Sequence, residues 1–517
     1  MAHVTLIRPP LISTPRCYSV IIAPPLGLAY VAAALERAGH RLAVVDALGE
    51  APDHEHDAAF PGLVAYGLSI DDIVARIPDE TQGVGISVMF SQQWPHVEAL
   101  VEAVHARHPA VPIFIGGEHA TGAWRYLLEH VPAVTMCALG EGETTACDIA
   151  EWLDGARDIA QIAGIAYRGD GIARRTEERP RVRELDTLPW PAWHLFPMEQ
   201  YLSRGLGHGV NRGRSIPMLA TRGCPFQCTF CSSPAMWTTR YTVRPVRDLV
   251  DEIESYVGRY GITNVDFEDL TAFIKRDWIL DLCAELERRQ LGIMYQLPSG
   301  TRSEALDRQV LERLYRTGCR NLTYAPESGS ERTLKRIKKK VKLDRMLASM
   351  RAAIAVGIVT KVNMIIGFPF EKRRDVLDTI RFCLRMAWIG VEDIPLFPYV
   401  AYPGSELWDH LRREGLVPEL SNEYFAALGY SNLRPVRTYS QHMSTAEVTF
   451  YRTAGMILFI LLSHLRFPSR VVRTIRNLAR WRNQSAVEQR LQQLLAQPVR
   501  RVLRHASPRR RATASPS

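Results

Sequence analysis

Along residues 1–155 short apolar runs alternate with stretches in which apolar residues return every three or four positions. The runs VTLIRPP (4–10), RLAVVDA (41–47), VGISVMFS (84–91), VPIFIGGEHAT (111–121) and VTMCALGEGE (134–143) predict buried strands. PLGLAYVAAALERAG (25–39), closed by Gly39, and WPHVEALVEAVHARHP (94–109) predict helices between them. Strand and helix in turn argue for a doubly wound α/β unit, a parallel sheet covered on both faces. Ligands of such sheets bind outside the carboxyl ends of the strands. Ser87, Ser91, Gly116, Gly117, Glu118, His119, Gly140, Glu141 and Gly142 fall on that expected rim.

The alternation stops over 156–213, where charges, prolines and the aromatic residues of LPWPAWHLFP predict an ordered linker. It resumes at 214 with SIPMLAT (215–221), ITNVDFED (262–269), IMYQLPSG (293–300), RNLTYAPESG (320–329), TKVNMIIGFP (360–369) and VEDIPLFPYV (391–400). Six strand–helix units over 214–420 predict a (β/α)6 partial barrel. Residues 421–505 read as a helical region, with the apolar run MILFILLSHL (456–465) followed by SRVVRTIRNLARW, and 506–517 as a disordered basic tail.

With 517 residues, 46% of them hydrophobic and 23% charged, the chain is long enough for two to four domains with their own cores. Six of its nine cysteines are scattered singly, which fits a reducing cytoplasm better than a disulfide framework. The start, MAHVTLIRPP, enters a strand with no charged leader, so no signal peptide is expected. No run reaches the roughly 18 consecutive apolar residues of a spanning helix. The net charge of +9 changes meaning once located. From Arg466 onward thirteen arginines face one acid, Glu488, a local +12 that leaves the rest of the chain at −3. Arg470, Arg473, Arg476 and Arg480 are expected on one helical face, and Val472, Ile475 and Ala479 on another. A solvated basic helix and tail ranks first, peripheral contact of the tail with an anionic membrane surface second, and nucleic acid a distant third.

The remaining three cysteines crowd into Cys224-Pro-Phe-Gln-Cys228-Thr-Phe-Cys231, a loop after the first barrel strand. Three thiolates on one loop can hold three corners of a [4Fe–4S] cubane and leave the fourth iron open. A structural zinc site would want a fourth ligand in paired spacing, and no second pair lies nearby. His208, sixteen residues upstream, is the closest histidine.

With Phe230 before its last cysteine, this loop resembles that of the radical S-adenosylmethionine (SAM) superfamily. Phe267-Glu268-Asp269 resembles the acidic turn that contacts the SAM amino group. Pro326-Glu327-Ser328-Gly329-Ser330 resembles the fourth-strand element, and Met364-Ile365-Ile366-Gly367-Phe368-Pro369 the glycine-rich fifth strand beside the adenine. The resemblance implies reductive cleavage of SAM to a 5′-deoxyadenosyl radical, with electrons from a flavodoxin- or ferredoxin-type donor. Glu268, Asp269, Glu327, Ser328, Gly367 and Phe230 are the implied SAM-side contacts. Lys339, in the run IKKK, is expected instead on a lysine-rich helix surface.

Residues 1–155 resemble the Rossmann-like cobalamin-binding domain of cobalamin-dependent radical SAM enzymes. The matching elements are Pro24-Pro25-Leu26-Gly27-Leu28-Ala29-Tyr30, Gly85-Ile86-Ser87-Val88-Met89, Gly116-Gly117-Glu118-His119-Ala120-Thr121 and Leu139-Gly140-Glu141-Gly142-Glu143. The DxHxxG loop that gives other cobalamin proteins a cobalt ligand is missing, since Pro9-Pro10-Leu11 follows the first strand. His119 is expected to contact the nucleotide tail or rim rather than cobalt. Together the two domains imply methylation of an unactivated carbon of a small-molecule or lipid substrate. Rival readings are a cyclase or rearrangement enzyme, as in anaerobic magnesium-protoporphyrin monoester cyclases, and a non-catalytic carrier or sensor. The expected location is cytoplasmic, with peripheral contact at the inner membrane face through the tail.

Overall fold

The computed structural model describes residues 1–480 except 16, 18, 19, 433 and 434, and beyond 480 only Ser485, Glu488, Leu491 and Gln492. The apolar runs of the first unit form β1 (His3–Arg8), β2 (Arg41–Asp46), β3 (Gly83–Ser87), β4 (Ile113–Gly116) and β5 (Val134–Ala138). All five are parallel, in the order β5-β4-β3-β1-β2. The winding reverses between β1 and β3, so a crevice opens outside their carboxyl ends at Arg8 and Ser87.

The expected linker needs a correction at its start. β6 (Ile165–Gly169) and β7 (Ile172–Arg175) form an antiparallel hairpin that adds to the sheet beside β5. Asp170 (φ 51°) and Gly171 (φ 78°) form its tight turn, where the Asp-Gly pair suits the positive φ. Beyond the hairpin the aromatic anchors behave as expected. Trp193 is fully buried in an apolar cluster that runs from Ala29 and Ala33 of the first unit to Leu249 and Ile253 of the second. The two units thus share a core.

The second unit contains β8 (Ser215–Met218), β9 (Asn264–Phe267), β10 (Met294–Thr301), β11 (Cys319–Glu327), β12 (Val359–Ile366) and β13 (Leu396–Pro398). They pair in parallel and in chain order, an open six-stranded half-barrel. Along β12 Thr360, Val362, Met364 and Ile366 are buried, while Lys361, Asn363 and Ile365 on the other face are only half-buried. Asp266 of β9 and Gln296 of β10 are buried and hydrogen-bonded to each other (2.7 Å). Polar groups therefore stand where closed barrels stack bulky aliphatics.

The helix Thr445–Arg466 starts at a Ser444/Glu447 capping box and packs along the helix Arg373–Ile389 and β13. The helix Ser469–Ala479 corrects a second expectation. Arg470 is buried, donating to the Val391 carbonyl (3.0 Å) and pairing with Glu392 (3.2 Å), whereas Val472 and Ile475 face outward. Carbonyls at the end of the helix Arg373–Ile389 attract the guanidinium more strongly than an open helix face does. The tail expected at 506–517 lies outside the described residues.

Candidate active site

The cysteine loop leaves β8 through Thr221-Arg222, which pair with Thr242–Val243. Gly223 turns the chain at φ +82°, and a Cβ there would collide with the Arg240 carbonyl. Downstream, the Thr229 N–H donates to Ile337 (3.1 Å) and the Thr229 carbonyl accepts from the Leu407 N–H (2.7 Å). Phe230 packs edge-on against Phe368, centroids 5.7 Å apart, and Arg302 lies over the Phe226 ring. Cys224, Cys228 and Cys231 are free and partly buried. Burial pushes the Cys231 thiol up to about 12 and raises that of Cys228, which Lys339 opposes. Both are protonated until a metal centre displaces the protons, since the thiolate is the ligand. Among the described residues no three Cys, His, Asp or Glu side chains converge on a single-ion site. A cubane puts each thiolate on a separate iron and asks for no such convergence.

The acidic turn divides its labour. Asp269 accepts from the Ala220 N–H (3.2 Å), the Thr221 N–H (2.5 Å) and the Thr221 hydroxyl (2.5 Å), so it pins the strand end that launches the loop. Glu268 accepts from His208 Nδ1 (2.7 Å) on one oxygen, and its buried Oε1 has no partner among the described residues. Burial works against charge on His208, but Glu268 outweighs it and raises the imidazole pKa. His208, which the sequence marks only as the histidine nearest the cysteines, thus belongs to the site. Its setting, Gly205-Leu-Gly-His-Gly209, signals close backbone approach, and the Gly209 N–H indeed donates to Asp266 (3.1 Å).

Glu327 holds an unusual φ of 69° and pairs with Lys339 (3.0 Å), each side chain 10% exposed. Lys339 is therefore not on a lysine-rich surface. The Glu327 carboxylate draws it inward. Ser328 bonds Thr379 (3.0 Å) and supports its own turn, while Gly367 (φ +84°) donates its N–H to Glu371 (2.7 Å). Burial raises the Glu371 carboxyl to about 7.

On the first unit, Ser87 ends β3 and Met89 and Phe90 beyond it are exposed. A Cβ at Gly116 would meet the Ala138 methyl in ordinary contact, at 3.9 Å. Gly117 is needed because its neighbour there is the Val88 backbone. His119 is enclosed by Trp94 and Phe425 and bonds Ser91 (2.9 Å), leaving Nε2 buried without a partner among the described residues. Burial lowers its pKa to about 3, so it is neutral.

Three rim acids reach across to the cysteine loop. Arg222 donates to Glu141 (3.3 Å) and Glu143 (2.5 Å), all three nearly inaccessible, and sits 4.9 Å over the Tyr30 ring. Glu141 is further held by Arg181 (3.1 Å) and the Val182 N–H (2.8 Å). Ser232, beside Cys231, donates to the half-buried Glu118. Gly140 approaches Met236 and Gly122 approaches Pro403 from the same rim, while Gly142 packs on Val31. Of the residues expected from sequence, Glu118 and Glu141 thus serve domain docking. Glu268 keeps an acceptor without a partner among the described residues.

The Radical SAM superfamily model matches residues 218–383 and the B12 binding domain model residues 20–150. Cytidylyl-2-hydroxyethylphosphonate methyltransferase of Streptomyces wedmorensis is 32% identical over 386 residues, 69% of this chain and 70% of that protein. The chain belongs to the cobalamin-binding radical SAM enzymes. Anaerobic magnesium-protoporphyrin IX monomethyl ester cyclase of Cereibacter sphaeroides is 26% identical over 415 residues, 78% of this chain and 62% of that protein. The radical SAM methyltransferase TsrM from Kitasatospora setae has the same fold, with a TM-score of 0.65 at 17% identity over 93% of this chain and all of that one.

The cofactors of this radical SAM enzyme are a [4Fe–4S] cluster, SAM and cobalamin, and its residues fit all three. Cys224, Cys228 and Cys231 supply a three-thiol donor set, the open Glu268 Oε1 suits an ammonium group, and the exposed Met89 and Phe90 beside the strand end at Ser87 offer apolar surface to a macrocycle.

Proposed function

We propose that this radical SAM enzyme is a C-methyltransferase whose cluster and SAM sit on the barrel rim and whose cobalamin sits on the facing rim of the first unit. The observation that carries the proposal is the lock between the rims, in which Arg222 and Ser232 on either side of the cysteines are held by Glu141, Glu143 and Glu118. When bound, SAM and the reduced cluster supply a 5′-deoxyadenosyl radical and cobalamin carries the methyl group to be transferred. The chain's own part is positional. Asp269 and Gly223 set the loop, Glu268 offers an acceptor to the SAM ammonium, and Glu327 with Lys339 places a paired charge beside Cys228. His119, neutral and boxed in by Trp94 and Phe425, would support the wall beneath a bound macrocycle.

We place the substrate in the polar hollow of the half-barrel, which lies toward the amino ends of β10 to β12 and is linked to the cofactor side by His208 and its bond to Glu268. A cavity there is lined by Ile21, His208, Gln296, Asn321, Lys361 and Asp393. Such a lining favours a small molecule, or the polar end of a lipid, over a wholly apolar substrate. The nine free cysteines suit a cytoplasmic setting, and a flavodoxin- or ferredoxin-type protein would supply the electrons.

The test uses anaerobically reconstituted chain, cobalamin, reductant and methyl-labelled SAM, with substrate supplied from a fractionated cell extract. Release of both 5′-deoxyadenosine and S-adenosylhomocysteine, with label in a product, is expected. Cys228→Ala should abolish the deoxyadenosine. Deoxyadenosine and a converted substrate without homocysteine or transferred label would replace methyl transfer by cyclisation or rearrangement. No cleavage at all would favour a carrier.

A further inference from the structure

A surface helix ordinarily turns its apolar stripe toward the core. The helix Thr445–Arg466 does the reverse along much of its length. Val448, Arg452, Gly455, Phe459 and Ser463 face the protein, with Arg452 donating to the Asn432 carbonyl (3.0 Å). Phe450, Ile457, Leu461 and Leu465 share the outward face and are 66%, 51%, 61% and 82% exposed. The next helix repeats the inversion, with Arg470 and Asn477 buried and Val472 and Ile475 outward. Trp388, on the adjoining helix, is also exposed, and Arg466 sits 5.2 Å over its ring. Single exposed aliphatics are ordinary, but a run of them over two consecutive helices marks a contact surface.

Charge identifies the partner. Arg466, Arg476 and Arg480 are exposed around this face, and the chain from Arg466 onward holds thirteen of its arginines against one acid. A second copy of the chain would bring two strongly cationic segments together. An anionic bilayer offers both acyl surface and phosphate. The helix is long and apolar enough to cross a membrane, yet Gly455 packs closely on Leu396 and Ile380 and Arg452 is bonded inward. It is held lengthwise against the barrel and lies along a surface.

We propose that the outward faces of the helices Thr445–Arg466 and Ser469–Ala479 dock this protein peripherally on an anionic lipid bilayer, the arginines engaging headgroup phosphates. The full-length chain is mixed with phosphatidylcholine vesicles containing about 30 mol% phosphatidylglycerol, or none, and floated through a gradient. Flotation with the anionic vesicles is expected, about tenfold weaker with phosphatidylcholine alone. Leu461→Glu/Leu465→Glu and Val472→Glu/Ile475→Glu should each weaken it about tenfold at unchanged thermal midpoint, because these side chains already stand in water. No flotation with anionic vesicles overturns the proposal. So does undiminished flotation of both variants, which would leave the arginines as a purely electrostatic contact. A vesicle-free dimer that Leu461→Glu/Leu465→Glu converts to monomer would assign the face to a second copy instead.

Discussion

Asp269 and Glu268 are neighbours in one motif, yet only Glu268 keeps an oxygen to offer a ligand. Asp269→Ala frees the strand end beneath the cysteines. Iron per chain after reconstitution should fall by more than about half, with cobalamin content unchanged, as metal analysis and absorbance would show. His119 acts through pH. Its folded-state pKa, lowered to about 3, lies below the ordinary histidine value, so below about pH 6.5 the unfolded chain takes up a proton that the folded chain refuses. Stability should therefore fall as pH drops through that window, by about 1.4 kcal/mol per unit for each such histidine. His119→Gln should flatten the acid limb of thermal midpoint against pH. The cysteines and Glu268 were legible as chemistry-bearing residues because motif spacing announces them. Lys339 was not, because a lysine run looks the same whether one member turns inward or none does.

Among elements, the strand-to-loop junction at Thr221–Cys224 holds the two units in register. Arg222→Gln leaves Glu141 and Glu143 buried with fewer cationic partners, a loss of about 3–5 kcal/mol for a broken buried pair. Calorimetry should show a lowered midpoint. Adding Glu143→Gln should cost less than the two single losses together, since both act on one interaction. Gly223→Ala should leave the sheets folded but strip the loop of iron, a result read by far-UV circular dichroism beside iron content. All eleven long-run strands were legible, since alternation of strand and helix is a strong periodic signal. The hairpin at Ile165–Arg175 was missed although its Gly-Asp-Gly turn is visible in sequence. The partnership of Arg222 with residues some eighty positions away has no local signature at all.

For the whole molecule, two consecutive α/β units imply a two-cofactor site between facing carboxyl-end rims, but not which residues hold those rims together. That follows from the shared core around Trp193 and from the acids of one rim closing on the loop of the other. The inside-out C-terminal helices were equally hidden, because periodicity identifies two faces and does not say which one meets the barrel. The most direct test of the account is electron paramagnetic resonance of the enzyme loaded with cobalamin and cluster. The cobalt(II) signal should lack splitting from an axial nitrogen, and reducing the cluster should broaden it through magnetic coupling across the interface. A nitrogen-split cobalt signal indifferent to the cluster's redox state would contradict both the facing rims and the expectation that neither a histidine nor cobalamin's own benzimidazole ligates cobalt.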